Sequence, residues 1–251
     1  MNMKLLISFV CLFAVTTVKA QNWGGGIDDN NLHFGFTFQY VSAEYKILKK
    51  ADWREVDVNG WQLNTDFLGK LNYISSKPSS GFGIGFVVNQ KVQDNVDLRL
   101  TPTLVFSDRT LTYGFVKGVN GSPEEVGVQK KLATTVVDFP LGLKIKSNRR
   151  NNFRAYMIGG VKYTMDISSK KKSNNNEVTD PMEKFVNNRR NFLSYEAGLG
   201  MDLYFEYFKM SPEIKLSYSF DSVKKNEVSH VFSNPIDRLM LRHVTFSLFF
   251  E

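Results

Sequence analysis

Three features of the sequence predict an all-β chain. Apolar and polar residues alternate over eight separate stretches, the connections between them alternate short and long, and the polar positions are rich in glycine and in charges of both signs. Together they specify an eight-stranded antiparallel up-and-down transmembrane β-barrel of the outer-membrane type, with a lumen filled by side chains. The chain has 251 residues, a formal charge of +7 and 21 Phe. A basic, Phe-rich chain can meet anionic lipid, nucleic acid or acidic protein surfaces, and charge alone does not choose among them.

The first twenty residues, "MNMKLLISFVCLFAVTTVKA", run from Lys4 through an apolar stretch, Leu5 to Val15, to small residues at Val18 and Ala20. This is the pattern of a secretory signal peptide cleaved after Ala20, and the apolar run is too short to span a bilayer as a helix. The expected organisation is a signal peptide over 1–20, a lead segment over 21–32 and a barrel over 33–251. Cys11, the only cysteine, falls in the signal segment, so the mature chain is expected to hold no thiol or disulfide. Loss of Lys4 and Lys19 takes the charge from +7 to +5.

The strands follow by parity. Phe34, Phe36, Phe38 and Tyr40 oppose His33, Gly35, Thr37 and Gln39; Phe82, Ile84, Phe86 and Val88 oppose Gly81, Gly83, Gly85 and Asn89. Val96, Leu98, Leu100, Pro102, Leu104 and Phe106 oppose Asp97, Arg99, Thr101 and Thr103. Val137, Phe139, Leu141, Leu143 and Ile145 oppose Asp138, Gly142, Lys144 and Lys146. Phe153, Ala155, Met157, Val161 and Tyr163 oppose Arg154, Lys162, Thr164 and Asp166. Then comes a hairpin: Tyr195 to Phe205 against Ser194 to Asp202, a reversal near Glu206 and Tyr207, and Met210 to Phe220 against Ser211 to Ser219. Val244, Phe246, Leu248 and Phe250 close the series against His243, Thr245 and Ser247.

Brief connections follow the second, fourth and sixth strands ("QDN", "SNRRNN" and residues near 206 to 208), and long ones follow the others. Outer-membrane barrels have short periplasmic turns and long external loops, so the first strand is expected to rise from the periplasm. A soluble lipocalin-like barrel would also alternate, but with its apolar side inward around a ligand. Glycines and paired charges suit a narrow lumen better than a watered outer surface.

Arg99, Asp138, Lys144, Arg154, Lys162, Glu196, Asp202, Glu213 and Lys215 share the inward parity. They are expected to fill the lumen as ion pairs, because eight strands leave an interior just wide enough for side chains and no porin-like channel. His33, His230 and His243 show no ligand spacing, and "GFGIGF" at 81 to 86 alternates as a strand and opens no helix, so neither a metal nor a phosphate loop is expected. No nucleophile-elbow motif is present, so neither catalysis nor a cofactor is expected. The external loops offer Trp53 and Trp61 in the first and Lys170, Lys171, Lys172, Arg189 and Arg190 in the third. Trp and Arg favour binding hot spots, and a basic rim suits lipopolysaccharide phosphates; for the Lys/Asn tract a solvated loop is the preferred reading.

Four stretches, "HFGFTFQY", "VVDFPLGLKIKSNRRNNFRAYMIGGVKYTMDIS", "NFLSYEAGLGMDLYFEYFKMSPEIKLSYSF" and "HVTFSLFFE", closely resemble the PorT family of outer-membrane barrels in Bacteroidetes, associated with the type IX secretion system. The resemblance spans most of the mature chain and is most specific from Phe153 to Phe220. It implies a single barrel needed for export of cargo proteins, with outer-membrane lipid, other secretion subunits and the barrel-assembly machinery as partners, and no nucleic acid. It carries no catalytic motif onto residues here. Many barrels end in an aromatic residue read by the assembly machinery; here Glu251 follows Phe250. A surface barrel for adhesion or envelope stability, and a membrane enzyme with its site at the external rim, are the alternative readings.

Overall fold

Alternation with a period of two forces extended chain, and extended chain in lipid must satisfy its backbone groups sideways and without an edge. The computed structural model describes residues 30–54, 57–58, 61–62, 70–119, 122–168, 186–226 and 232–251. The predicted signal peptide and nearly all of the lead segment lie outside the described residues.

Eight strands form the wall. They are β1 (Leu32–Lys49), β2 in two pieces (Lys70–Lys77 and Ser79–Gln93), β3 in two pieces (Val96–Leu100 and Thr103–Val119), β4 (Ser122–Lys146), β5 (Phe153–Asp166), β6 (Asn191–Tyr204), β7 (Lys209–Ser219) and β8 (Ile236–Phe250). Every strand pairs antiparallel with its chain neighbours, and β1 pairs with β8 through Phe36↔Phe250 and with β2 through Phe36↔Phe86. These two ladders close the sheet into a ring of eight.

Two prolines explain the interruption in β3. Thr101 donates its N–H to the Pro140 carbonyl at 3.1 Å, and Phe86 donates to the Pro102 carbonyl at 3.0 Å, but neither proline can return a hydrogen bond. The Thr103 hydroxyl donates to the Thr101 carbonyl at 2.9 Å, satisfying the acceptor that Pro140 leaves. Register runs through unchanged: Arg99 pairs with Gly142 before the gap and Thr103 with Asp138 after it.

The "GFGIGF" glycines face inward where β2 and β3 approach closely. A Cβ at Gly81 would stand 2.4 Å from the Phe106 carbonyl oxygen, and one at Gly85 equally close to that of Pro102. Any larger residue would push the two strands apart. At the turn end Arg150 and Phe153 exchange hydrogen bonds of 2.9 and 3.0 Å around Asn151, whose φ of 52° lies in the left-handed region that Asn tolerates.

The wall is inside out relative to a soluble protein. Phe86, Phe34 and Leu199 are 72%, 67% and 61% exposed on the outer face, whereas Lys144 and Glu213 are buried inside. Phe36 stacks on Phe250 (5.2 Å) and Phe205 on Phe208 (4.8 Å) toward the turn end, while Tyr195 stacks on Tyr218 (6.1 Å) toward the loop end. Such aromatic girdles bound the apolar band of a membrane barrel. Beyond the Tyr belt the outer face becomes charged, with Arg242 Nε donating to Glu44 Oε2 at 3.0 Å.

Two sequence expectations need correction. The connection between the third and fourth strands is not a long loop: β3 and β4 continue as one ladder from Thr103↔Asp138 to Val119↔Ser122. The first long connection, which holds Trp53 and Trp61, is strand at both ends, since β1 runs to Lys49 and the first piece of β2 pairs with β3 from Lys70↔Val116 to Lys77↔Thr110. The alternation continues there with its polarity reversed. Leu111, Tyr113 and Phe115 point inward and join Tyr45, Leu71, Val223, Phe232, Leu239 and Leu241 in an apolar core. Past the bilayer the wall stands in water, and the interior packs as in a soluble domain.

Leu199 pairs with Met157 and Ile214 in the middle of the apolar band. Leu199→Arg is expected to lower unfolding stability by about 2 to 4 kcal/mol. Urea titration of refolded protein in lipid bilayers, followed by circular dichroism, measures this.

Candidate functional site

The lumen of the membrane-spanning part is a network of ion pairs. Arg99 lies across its middle, donating from Nε to Asn89 Oδ1 (2.7 Å), from Nη1 to Glu213 Oε2 (2.9 Å) and from Nη2 to Glu251 Oε1 (3.2 Å). Its guanidinium also covers the Phe249 ring, 4.5 Å from the centroid. Lys209 meets the other Glu251 oxygen at 2.6 Å. Lys144 donates to both oxygens of Asp202, at 2.7 and 2.8 Å, and the Ser211 hydroxyl adds a third donor at 2.6 Å. Toward the turn end Lys146 pairs with Asp97 at 2.6 Å. Toward the loop end Lys215 bridges Glu196 (3.2 Å) and Glu213 (3.3 Å), and Lys162 meets Asp138 at 3.3 Å.

Six bases thus face six acids, each in at least one ion pair, and all are buried. Buried pairs survive desolvation only with good geometry and extra hydrogen bonds. Here the extra bonds come from neutral neighbours: Tyr156 O–H donates to Glu213 Oε2 (2.9 Å), Thr164 O–H to Asp138 Oδ1 (2.6 Å) and Asn89 to Glu251 (2.6 Å).

Eight of the nine charges predicted for the lumen lie in this network. The ninth, Arg154, is half-buried and pairs in register with Asp202. Other members were not singled out from the sequence. Asp97 and Lys146 sat on the visible polar parity. Lys209 and Glu251 flank the last strands, where parity restarts or ends. Tyr156 is an aromatic on the inward side, buried within the cluster. His33 and His243 stand apart, pairing with Asn89 and Ala43. Among the described residues no three His, Cys, Asp or Glu converge to hold a metal.

The loop end is closed by chain. Val186, Asn187 and Asn188 fold into the mouth, where the Asn188 amide donates to the Tyr45 hydroxyl at 2.6 Å. Tyr113 O–H donates to the Phe232 carbonyl at 2.8 Å, with the two rings 5.0 Å apart. Lys224, at this mouth, donates to the Ser233 and Ile236 carbonyls; burial, then the charge of Lys50, lowers its pKa.

At the rim, Trp53 packs partly against the apolar core, with Lys49 Nζ 4.0 Å and Arg54 Cζ 4.9 Å from its ring. Arg189 pairs with Asp221 at 3.1 Å, and the Arg190 carbonyl accepts the Asp166 N–H at 2.7 Å. Trp61 lies in a two-residue ladder, pairing with Val58. Lys170, Lys171 and Lys172 lie outside the described residues. On the lipid-facing wall, Gly159 and Ala197 are register partners and leave an apolar depression of about 610 Å³ between Leu143, Met157, Leu199 and Leu216.

An inside-out wall, a ring without edges and a lumen of paired charges meet in one class of protein. Residues 13–225 match the outer membrane protein beta-barrel domain family. The chain belongs to that family. The outer membrane protein beta-barrel domain places it in the outer membrane of a Gram-negative bacterium. Similar solved structures include the outer membrane protein OprG from Pseudomonas aeruginosa, at 12% identity and a TM-score of 0.43, covering 86% of this chain and 93% of that one. Ail, the attachment invasion locus protein of Yersinia pestis, is similar at 10% identity and a TM-score of 0.34, covering 86% and 96%. A Pseudomonas aeruginosa FadL homologue is similar at 8% identity and a TM-score of 0.27, covering 92% of each chain. No curated protein matches the chain.

Lys144→Met strips Asp202 of its ammonium partner inside the lumen and is expected to cost about 3 to 5 kcal/mol, with Lys144→Met/Asp202→Leu regaining most of the loss. Lys131→Met, which breaks the exposed Lys131–Asp108 pair, is expected to cost under about 1 kcal/mol. Urea unfolding of the three variants in detergent micelles checks the contrast.

Proposed function

We propose that the chain is a non-enzymatic component or accessory factor of the type IX protein secretion system, needed for export of cargo proteins. The observation that carries this reading is the filled lumen. Six buried bases close on six buried acids, and an apolar core caps them, so the barrel offers cargo no conduit. What it offers are its two ends and its outer wall. The secretion assignment itself rests on the four stretches that resemble the PorT family.

The surfaces at the ends fit binding. The loop end presents the projecting β3–β4 ladder beside Trp53 with its flanking cations, and Arg189 and Arg190. Another secretion subunit or lipopolysaccharide phosphate would meet this basic, partly aromatic rim. The same projection favours a second reading, a surface barrel for adhesion or envelope stability, which needs no partner inside the envelope.

A clean deletion complemented by the wild-type gene separates the two. The first reading expects signal-bearing cargo to accumulate in the periplasm and return to the medium on complementation. Normal export with altered adhesion or detergent sensitivity would favour the second. Orientation is tested separately by single cysteines at Asn226, exposed at the loop end, and Tyr207, 85% exposed at the turn end. An impermeant thiol reagent on intact cells is expected to label only Asn226→Cys, and labelling only of Tyr207→Cys would invert the barrel.

A further inference from the structure

The wall within the membrane has no edge, but the sheet above it does. β5 pairs with β4 only from Val136↔Asp166 to Lys146↔Tyr156, whereas β3 stays paired with β4 beyond that, up to Val119↔Ser122. β5 stops for a local reason. Asp166 Oδ1 accepts the Ser168 N–H at 2.9 Å and the Ser168 hydroxyl at 2.8 Å, and the chain bends at Ile167 and Ser168. Among the described residues, the uppermost backbone bond from this side of β4 joins the Ile167 N–H to the Thr135 carbonyl, at 3.0 Å.

Backbone direction alternates along a strand, so the groups of β4 can be assigned one by one. Thr101 donates to the Pro140 carbonyl, so the even-numbered residues of β4 face β3; Thr135, which accepts from Ile167, belongs to the odd set. Register from Thr103↔Asp138 to Val119↔Ser122 is unbroken, and the assignment carries up the strand. Ala133, Lys131, Gln129, Gly127 and Glu125 therefore turn their N–H and C=O groups away from β3. Among the described residues no backbone group meets them, and a Cβ on Gly127 would meet no atom within 4 Å. Such a row is a template for one more strand.

Both faces of β4 restrict what fits. On the inner face Val126, Val128, Lys130 and Leu132 are half-buried, Val128 against the apolar core and Lys130 with its Nζ 4.5 Å from the centre of the Phe232 ring. On the outer face Glu125, Gln129 and Lys131 are exposed, with Lys131 2.8 Å from Asp108. Apolar side chains suit the first face and a carboxylate suits Lys131. A direct continuation of β5 fits poorly. Kept in the register of Val136↔Asp166, it would set Lys171 opposite Lys131 and Lys172 opposite Lys130, and like charges directly opposite are destabilising. A second copy fits no better. Two copies in one membrane run β4 in the same direction, and a two-fold axis along the membrane normal sets each residue opposite itself. A parallel ladder needs an edge-facing residue opposite one that faces away.

We propose that the upper edge of β4, Glu125 to Ala133, takes an extended segment of another polypeptide as an added strand, with alternate apolar side chains and a carboxylate beside Lys131. Main-chain hydrogen bonds hold the segment, and its alternate side chains give selectivity. The inference goes beyond the secretion reading and does not rest on it, and its test uses purified protein, apart from any export assay.

Amide hydrogen exchange of the wild-type barrel in micelles, read residue by residue by NMR, tests this with a synthetic peptide that alternates Val with Thr and carries one Glu. Without peptide, the Gly127, Gln129, Lys131 and Ala133 amides are expected to exchange fast and those of Val128, Lys130 and Leu132 slowly. Saturating peptide is expected to protect the first set. Protection of that set before peptide is added would mean that the chain covers its own edge, and would overturn the proposal; so would a peptide that leaves the set unprotected. Methylating the peptide nitrogens that face β4 is expected to abolish protection, while methylating the alternate ones leaves it. Equal loss from either set would contradict strand addition. Replacing the peptide Glu by Lys is expected to weaken protection, and unchanged protection would overturn the charge assigned to the partner.

Discussion

The fold depends on the closure between β1 and its two neighbours. In hydrocarbon every N–H and C=O must be satisfied by protein, and a sheet with an edge cannot do so. Phe36 sits where this is met, pairing with Phe250 on one side and Phe86 on the other. Once the ring closes with eight strands, its interior is too narrow for water-filled passage and must be filled by side chains. The ion-pair lumen and the apolar outer wall are consequences of that one constraint.

Filling the lumen with charge is costly, and the structure meets the cost by saturation. Lys144 and Asp202 alone share two short hydrogen bonds, and Ser211 adds a third to the carboxylate. Arg99, on β3, bonds to Asn89 beside it on β2 and reaches β7 and Glu251 across the lumen. Glu251 thereby braces the lumen, while Phe250 before it keeps its ring outside against Phe36. A rigid, closed barrel of this kind acts through its ends and outer wall, which is why the functional reading turns on partners rather than on transport.

Much of this was legible in the sequence. Alternation located all eight strands, and parity alone put Arg99, Asp138, Lys144, Lys162, Glu196, Asp202, Glu213 and Lys215 in one lumen. What was missed lies where the rule changes. Arg109 follows Phe106, where the outward positions become Asp108, Thr110 and Thr112 and the inward ones Leu111, Tyr113 and Phe115. That inversion marks the exit from lipid into water, and reading it as the end of alternation turned a long ladder into an expected loop. Glu251 and Lys209 were invisible for another reason: Lys209 meets Glu251 through the β7–β8 pairing and Glu251 meets Arg99 across the lumen, and no local pattern encodes either contact.

The account stands or falls on which face of the wall meets lipid. Single spin labels at Met157, Leu199 and Phe246, and at Thr164, Ser217 and Ser247, would be compared by paramagnetic relaxation with oxygen, which partitions into lipid, and with a water-soluble nickel chelate. The first three are predicted to be relaxed strongly by oxygen and weakly by nickel, and the second three to be shielded from both. Labels at Thr164, Ser217 and Ser247 that see oxygen as freely as those at Met157, Leu199 and Phe246 would contradict the inside-out barrel.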